Sequence, residues 1–285
     1  MFNLNDHKFK VITGWQDYKI DPRYFVLLFL ASFVMAGQFY LGFYQKWDAV
    51  FVSLLTAITT EVLLTRLLYK KWKFSISPII TGMGVSLLVS SYLLWVNVLT
   101  SFLSILLKFI VKFEKGHIFN PNNIAVVLVL FFLYEYAVST PKQWSNGYLV
   151  MAIIILLGFF ATYMANRLDV VLAFLGGFTV FAFVRHYLFG APLYAALGPL
   201  LGAGLQLFAF FMITDPKSTP TTRKSRIYFA LIVALIDAIL RISRIPHAQF
   251  YALFITSLLF TVPYRIWAKR KISSVVFKEK NKVEG

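Results

Sequence analysis

The side chains best placed to do chemistry are a few ionisable residues set inside long apolar runs. Glu61 and Arg66 share one run, Glu135 lies in another, Arg185 and His186 in a third, and Asp237 and Arg241 in a fourth. A charge at bilayer depth is costly, so each is a functional candidate by default. Asp237 and Arg241 are four residues apart, on one helical face, where they can neutralise each other. That arrangement reads as structural rather than catalytic. Glu61 and Arg66 are five apart and poorly aligned, so Glu61 needs another partner or a proton. Glu135 and Arg185 fall near the ends of their runs, where reaching toward the interface accounts for them.

Three polar motifs interrupt the runs. Ser77-Pro78-Ile79-Ile80-Thr81-Gly82-Met83-Gly84 opens a helix with a proline that suits a first turn, then glycines that permit close backbone approach. It reads either as a broken helix with free amides near a midplane site or as tight packing through small residues. Asn120-Pro121-Asn122-Asn123 has the pattern of a helix N-cap with two further amides. Thr214-Asp215-Pro216-Lys217-Ser218-Thr219-Pro220-Thr221-Thr222 packs hydroxyls around one carboxylate. It reads either as a turn or as a group able to hydrogen-bond a ribityl chain, a phosphate or a quinone headgroup. No Cys is present, which excludes disulfides, thiolate metal sites and a Cys nucleophile. The four His lack metal-ligand spacing, so no metal site is expected, and no HExxH, GxSxG or P-loop pattern occurs.

These groups must be positioned by helices in a bilayer. Of 285 residues, 59% are hydrophobic and 14% charged, and the mean hydropathy is +0.72. A soluble domain carries roughly 25% charged residues, so a soluble fold is excluded, as is disorder in a chain with 30 Phe. The net charge of +16 does not imply nucleic acid, because the basic residues sit between apolar runs instead of on one solvated face. The partner it implies is the lipid bilayer. About 20 apolar residues span the hydrocarbon core, and ten segments qualify: 23–43, 47–69, 78–94, 95–113, 122–138, 148–165, 170–189, 192–213, 226–243 and 248–269. The third to fifth are short or poorly separated, and the break between the third and fourth rests on Asn97 and nearby hydroxyls. Eight spans, with the third and fourth as paired re-entrant segments, give the same parity. The fold class expected is an all-α polytopic membrane protein.

The domains expected are a cytoplasmic segment at 1–22, a transmembrane domain at 23–269 and a basic cytoplasmic tail at 270–285. The first span does not read as a signal peptide, because a polar basic segment precedes it and no small-residue cleavage site follows. Twenty Lys and Arg fall in one alternating set of connections and five in the other: Lys46, Lys142, Arg185, Arg241 and Arg244. That bias places both termini in the cytoplasm of a bacterial inner membrane. A loose duplication is also visible. In each half a Gly-bearing short span leads to an Asn-Pro or Asp-Pro step, Gly82 to Asn120-Pro121 and Gly202 to Asp215-Pro216. Five spans per half would invert the second copy, a common way to build a midplane site.

His-Ile-Phe-Asn-Pro at 117–121, Ser-Pro-Ile-Ile-Thr-Gly at 77–82 and Phe-Phe-Met-Ile-Thr-Asp-Pro-Lys-Ser-Thr-Pro-Thr-Thr at 210–222 resemble the RnfD/NqrB family. Its members are membrane subunits of the Rnf and sodium-pumping quinone-reductase complexes. The resemblance covers roughly residues 20–270, and the subgroup called the enediyne biosynthesis protein UnbU is a relative within it. It implies ten helices in two inverted five-helix repeats, similar to urea transporters, with flavin and quinone binding in a redox chain and protein partners in a membrane complex. One departure matters. Family members with covalent FMN carry it on a Thr in a Ser-Gly-Ala-Thr motif, but the corresponding stretch here, 137–147, reads Ala-Val-Ser-Thr-Pro-Lys-Gln-Trp-Ser-Asn-Gly. Covalent FMN is therefore not expected. A non-covalent flavin (FMN or riboflavin) or quinone is expected at Asn120, Asn123, Thr214, Asp215, Ser218 and Thr219, with Thr81 and Gly82. The alternatives are a transporter or channel on the same scaffold, or a membrane anchor for a partner protein.

Overall fold

The computed structural model describes residues 21–40, 42, 47–72, 74–113, 116–139, 148–261 and 263. Most of the expected segment 1–22, the tail 270–285 and Thr140–Gly147 of the flavin-attachment stretch lie outside the described residues.

The helices are α1 (Arg23–Phe39), α2 (Trp47–Tyr69), α3 (Ser77–Leu88), α4 (Leu94–Ile110), α5 (Pro121–Phe132), α6 (Tyr148–Met164), α7 (Leu168–Phe189), α8 (Leu193–Leu197), α9 (Ala203–Leu207), α10 (Arg223–Ile242) and α11 (Ala248–Thr256). A 3-10 turn, Gly198–Leu201, links α8 to α9, and π-helical turns Phe208–Met212 and Ser257–Thr261 continue α9 and α11. Nine of the ten expected spans coincide with one helix each, and the eighth, 192–213, is broken into α8 and α9. The chain is mostly helical, as the long apolar runs demand of a segment with no water to satisfy its backbone.

Helix lengths correct several expected boundaries. At 23 and 22 residues, α2 and α7 are long and apolar enough to cross a membrane. By contrast α3 and α5 have 12 residues each, about 18 Å of helix against a core of ~30 Å. Helix three thus stops at Leu88 instead of 94, and helix five at Phe132 instead of 138. Strands β1 (Val89–Ser90), after α3, and β4 (Val138–Ser139), beyond α5, pair antiparallel, Val89 opposite Ser139, while β2 (Lys112–Phe113) and β3 (Gly116–His117) pair with each other between α4 and α5. Through the β1–β4 pairing the two short helices close their ends on each other. Glu135 is moved out of a span by this change. It lies exposed in the turn after α5, accepting from the Tyr134 hydroxyl at 3.3 Å. The break between the third and fourth spans is at 89–93, and Asn97 sits fully buried in the first turn of α4. The polarity of Asn97 marks a buried helix face, and the break itself falls where the backbone leaves the helix for the β1 pairing.

Two bundles build the interior. In the first half α2 packs on α3 and α4, and α4 on α5; in the second, α7 packs on α10, and α10 on α11. Between the halves α1 lies on α6, α5 on α11 and α3 on α9. Buried Phe29, Phe33, Phe174, Phe178, Phe208 and Phe250 fill the core. Phe210 meets Phe29 and Phe159 edge-on, with centroids 5.8 and 5.0 Å apart. The outer surface is apolar instead of polar: Leu67, Leu149, Leu156 and Tyr194 are all well exposed. Such a surface suits lipid contact and would promote association in water.

Two α3 glycines set how closely the bundles approach. A Cβ on Gly82 would lie 2.8 Å from Leu54 Cα in α2, and one on Gly84 would lie 2.8 Å from Asn122 Nδ2 and overlap the Phe211 ring. Gly82→Val meets backbone and cannot be relieved by a rotamer change. It should destabilise the protein by about 1–3 kcal/mol, read as a lowered thermal midpoint in detergent. Gly176→Ala, with nothing within 4 Å of its Cβ, should leave the midpoint unchanged.

Candidate functional site

The Asn-Pro and Asp-Pro motifs, 95 residues apart in sequence, meet at one end of the bundle. Asn120 caps α5: its Oδ1 accepts from the Asn122 and Asn123 amides at 2.9 and 3.2 Å. Its Nδ2 donates to the Met212 carbonyl at 3.0 Å. In a continuing helix that carbonyl would accept from residue 216, which is Pro216 and has no N–H to give. The carbonyl keeps a long bond from the Asp215 amide at 3.5 Å, and the Asn120 amide supplies the closer donor. His117 N–H donates to the Lys217 carbonyl at 3.1 Å, a second clamp between the motifs. Asn123 donates to the Phe250 carbonyl of α11 at 3.2 Å, while Phe119 stacks on Phe254 at 5.0 Å.

The 214–222 stretch folds as a tight turn around Asp215. Asp215 Oδ1 accepts from the Lys217 amide at 3.1 Å and Oδ2 from the Ser218 hydroxyl at 2.9 Å. The Thr219 hydroxyl donates to the Asp215 carbonyl at 2.8 Å, and Thr214 donates back to the Phe210 carbonyl at 2.9 Å. All of these hydroxyl protons are spent within the turn, leaving the oxygen lone pairs for any ligand. Beside it, Arg226 pairs with Asp169, its Nε and Nη2 both 2.8 Å from Oδ2, and donates to the Thr221 carbonyl at 3.2 Å. Arg167, between α6 and α7, has Nε and one Nη buried without a partner. Burial and the adjacent Arg226 guanidinium push its pKa below the ordinary arginine value, with Asp169 and Asp215 pulling the other way.

Of the sequence-predicted residues, Asn120 lies against the segment that leads into the Thr214, Asp215, Ser218 and Thr219 turn, and Asn123 lies just inside, toward α11. Thr81 is buried in α3, and Gly82 is turned against α2. It is Gly84, two residues further on and so on another face of the helix, that meets Asn122 and Phe211. Arg167 was not among the sequence-predicted site residues, although an arginine in a short loop was visible, whereas Gly84 was legible as one of two glycines permitting close approach. The unspent hydrogen-bonding capacity at the junction is the Asn123 Oδ1, on a residue 1% exposed, and the two Arg167 N–H groups. An acceptor, a cationic donor and flanking aromatics fit a flavin or quinone with polar substituents.

The intramembrane charges form two further clusters. Glu61 finds its partner across the bundle: Lys108 of α4 bonds its carboxylate and also donates to Ser77 Oγ at 2.9 Å. Ser75 donates to Glu61 Oε1 at 2.8 Å. Arg66 instead turns back to the Lys70 carbonyl at 2.9 Å and over the Trp72 ring. Asp237 and Arg241 form the expected intrahelical pair at 2.7 Å. Arg185 departs from expectation. It does not reach outward but lies buried, donating to the Ala196 carbonyl at 3.0 Å, because α8 folds back over the end of α7 and supplies the acceptor.

Residues 140–272 match the NQR2, RnfD, RnfE family. The matched part of the chain runs from the stretch before α6 into the segment after α11 and is similar to that family. Its members are subunits of multi-protein membrane complexes. No curated protein matches the chain. The match includes the Asp215 turn, Arg167 and the Asp237–Arg241 pair, whereas Asn120 and Asn123 lie before it.

Lys108→Met should leave Glu61 with a buried, unbalanced charge and cost about 3–5 kcal/mol, seen as a large drop in thermal midpoint. Arg66→Met removes no carboxylate partner and should cost no more than about 1 kcal/mol.

Proposed function

We propose that the protein is the integral membrane subunit of a flavin- or quinone-linked electron transport complex. On this reading it holds a non-covalent flavin or quinone where the Asn120–Asn123 helix start meets the Asp215 turn. The observation that carries it is the joining of these two motifs by the Asn120–Met212 and His117–Lys217 hydrogen bonds, beside polar atoms with bonding capacity to spare. Asn123 Oδ1 would accept a ring or ribityl donor. The Arg167 guanidinium would neutralise a phosphate or a reduced ring, and the Ser218 and Thr219 oxygens would accept from hydroxyls. The bound group supplies the electron transfer, and the chain supplies orientation and charge. No covalent FMN is proposed, since the 137–147 stretch lacks Gly-Ala-Thr.

Two inverted five-helix repeats are part of this reading. The repeated packing supports them: α2 on α4 and α4 on α5 are echoed by α7 on α10 and α10 on α11. Each half also buries one charge cluster at the C-terminal end of its parallel pair, Glu61–Lys108 in one and Asp237–Arg241 in the other. A bacterial inner-membrane location with both termini cytoplasmic follows from the Lys and Arg bias.

The absorbance of extensively washed, detergent-purified protein tests the cofactor. Bands at about 370 and 450 nm are expected, with the colour released into the supernatant on acid precipitation. A colourless preparation would remove the flavin and leave the quinone or transport readings, and flavin retained in the pellet would overturn the non-covalent assignment. Asp215→Ala, which loosens the turn, should lower flavin occupancy several-fold while the protein still inserts into membranes. Occupancy equal to wild type would reduce the cluster to a turn.

A further inference from the structure

The charged cluster at the far end of α7 and α10 has no part in the redox reading, and its charges do not balance. The two helices run parallel and in register: Asp169 pairs with Arg226 near their starts, and Gly177 lies against Ala234 midway. That register brings Arg185 and Arg241 to one level near their ends. Both guanidiniums lie over the Phe178 ring, 5.5 and 5.2 Å from its centroid. Asp237, fully buried, accepts at Oδ2 from Arg241 Nε at 2.7 Å while its Oδ1 is buried without a partner, and Arg241 also donates to Gln249 Oε1 at 3.0 Å. Arg185, 7% exposed, has only the neutral Ala196 carbonyl at 3.0 Å, and its Nε is buried with no partner.

Two guanidiniums therefore face one carboxylate. The other acids among the described residues are committed elsewhere. Asp21, Glu61 and Asp169 pair with other cations, Asp215 holds its turn, Asp48 bonds the Ala49 amide, and Glu135 is exposed. An arginine cannot shed its charge as a buried lysine can, and an unbalanced ion in a low-dielectric interior costs several kcal/mol.

We propose that Arg185 and Arg241 form a binding site for one small monovalent anion, of halide, nitrate or formate size, seated at the Arg185 Nε–H. One negative charge brings the cluster to neutrality and occupies the unused donor. The burial of Arg185 excludes a lipid headgroup, and the nearby Asp237 carboxylate disfavours a multivalent ion and keeps the affinity modest.

The test replaces sodium gluconate stepwise by sodium chloride, bromide, nitrate or formate at constant ionic strength and pH, with purified protein in neutral detergent. The thermal midpoint should rise saturably by about 2–4 °C once the small anion is several-fold above its Kd. Arg185→Gln should abolish the rise, while Arg244→Gln, at an exposed neighbour, should keep it. Equal midpoints in gluconate and chloride, or an undiminished rise in Arg185→Gln, would overturn the proposal. Should Arg185→Gln not fold, crystals of the unaltered protein grown in bromide decide. An anomalous peak at Arg185 Nε supports the site, and its absence there refutes it.

Discussion

A proline has no N–H to give, and in a bilayer the carbonyl it leaves bare must find a donor within the protein. Met212 is in that position because Pro216 follows four residues later: it keeps a long bond from the Asp215 amide, and its close donor is the side chain of Asn120 from the other half of the chain. Much of the molecule's central organisation follows from that bond. It holds the start of α5 against the end of the α9 helix, so the two halves meet through named polar groups as well as through apolar packing. It also sets the depth at which the Asp215 turn sits. The close approach of α3 reinforces it, since Gly84 leaves room for Asn122 and Phe211 side by side.

The same economy governs the short helices. Neither α3 nor α5 crosses the hydrocarbon alone, and their ends are joined by the β1–β4 pairing in place of a second length of helix. The buried charges obey it too. In each bundle the parallel pair, α2 with α4 or α7 with α10, carries its cluster where the helices finish. In the first bundle a carboxylate and an ammonium balance. In the second a surplus guanidinium remains, and that asymmetry distinguishes two halves otherwise packed alike.

How far the sequence could be read depends on whether an interaction is local. The Asp237–Arg241 pair was legible because residues four apart share a helical face whatever surrounds them. The Asn120 cap was legible because capping is a property of a helix start. Glu61 could be seen to need a partner, but not that Lys108, 47 residues on, would be it, because helix register is set by packing across α2 and α4. Arg185 was misread as reaching outward since nothing nearby in sequence announces that α8 returns over it. Glu135 was misplaced because a strong apolar run does not reveal that the backbone leaves the helix at Phe132 to reach a strand partner.

By itself, then, the sequence determined the solvent of this protein, the ten apolar stretches, the local caps and pairs, and the three prolines at which helices start or stop. Those are consequences of composition and of spacings within a turn or two of helix. The tertiary structure decided which polar groups meet: Asn120 with Met212, Lys108 with Glu61, Arg185 with Ala196. Such pairings depend on the register and crossing of helices far apart in the chain. In a bilayer that register is selected by small residues such as Gly82 and Gly84 and by the need to satisfy every buried polar group, a condition that no single segment can meet alone.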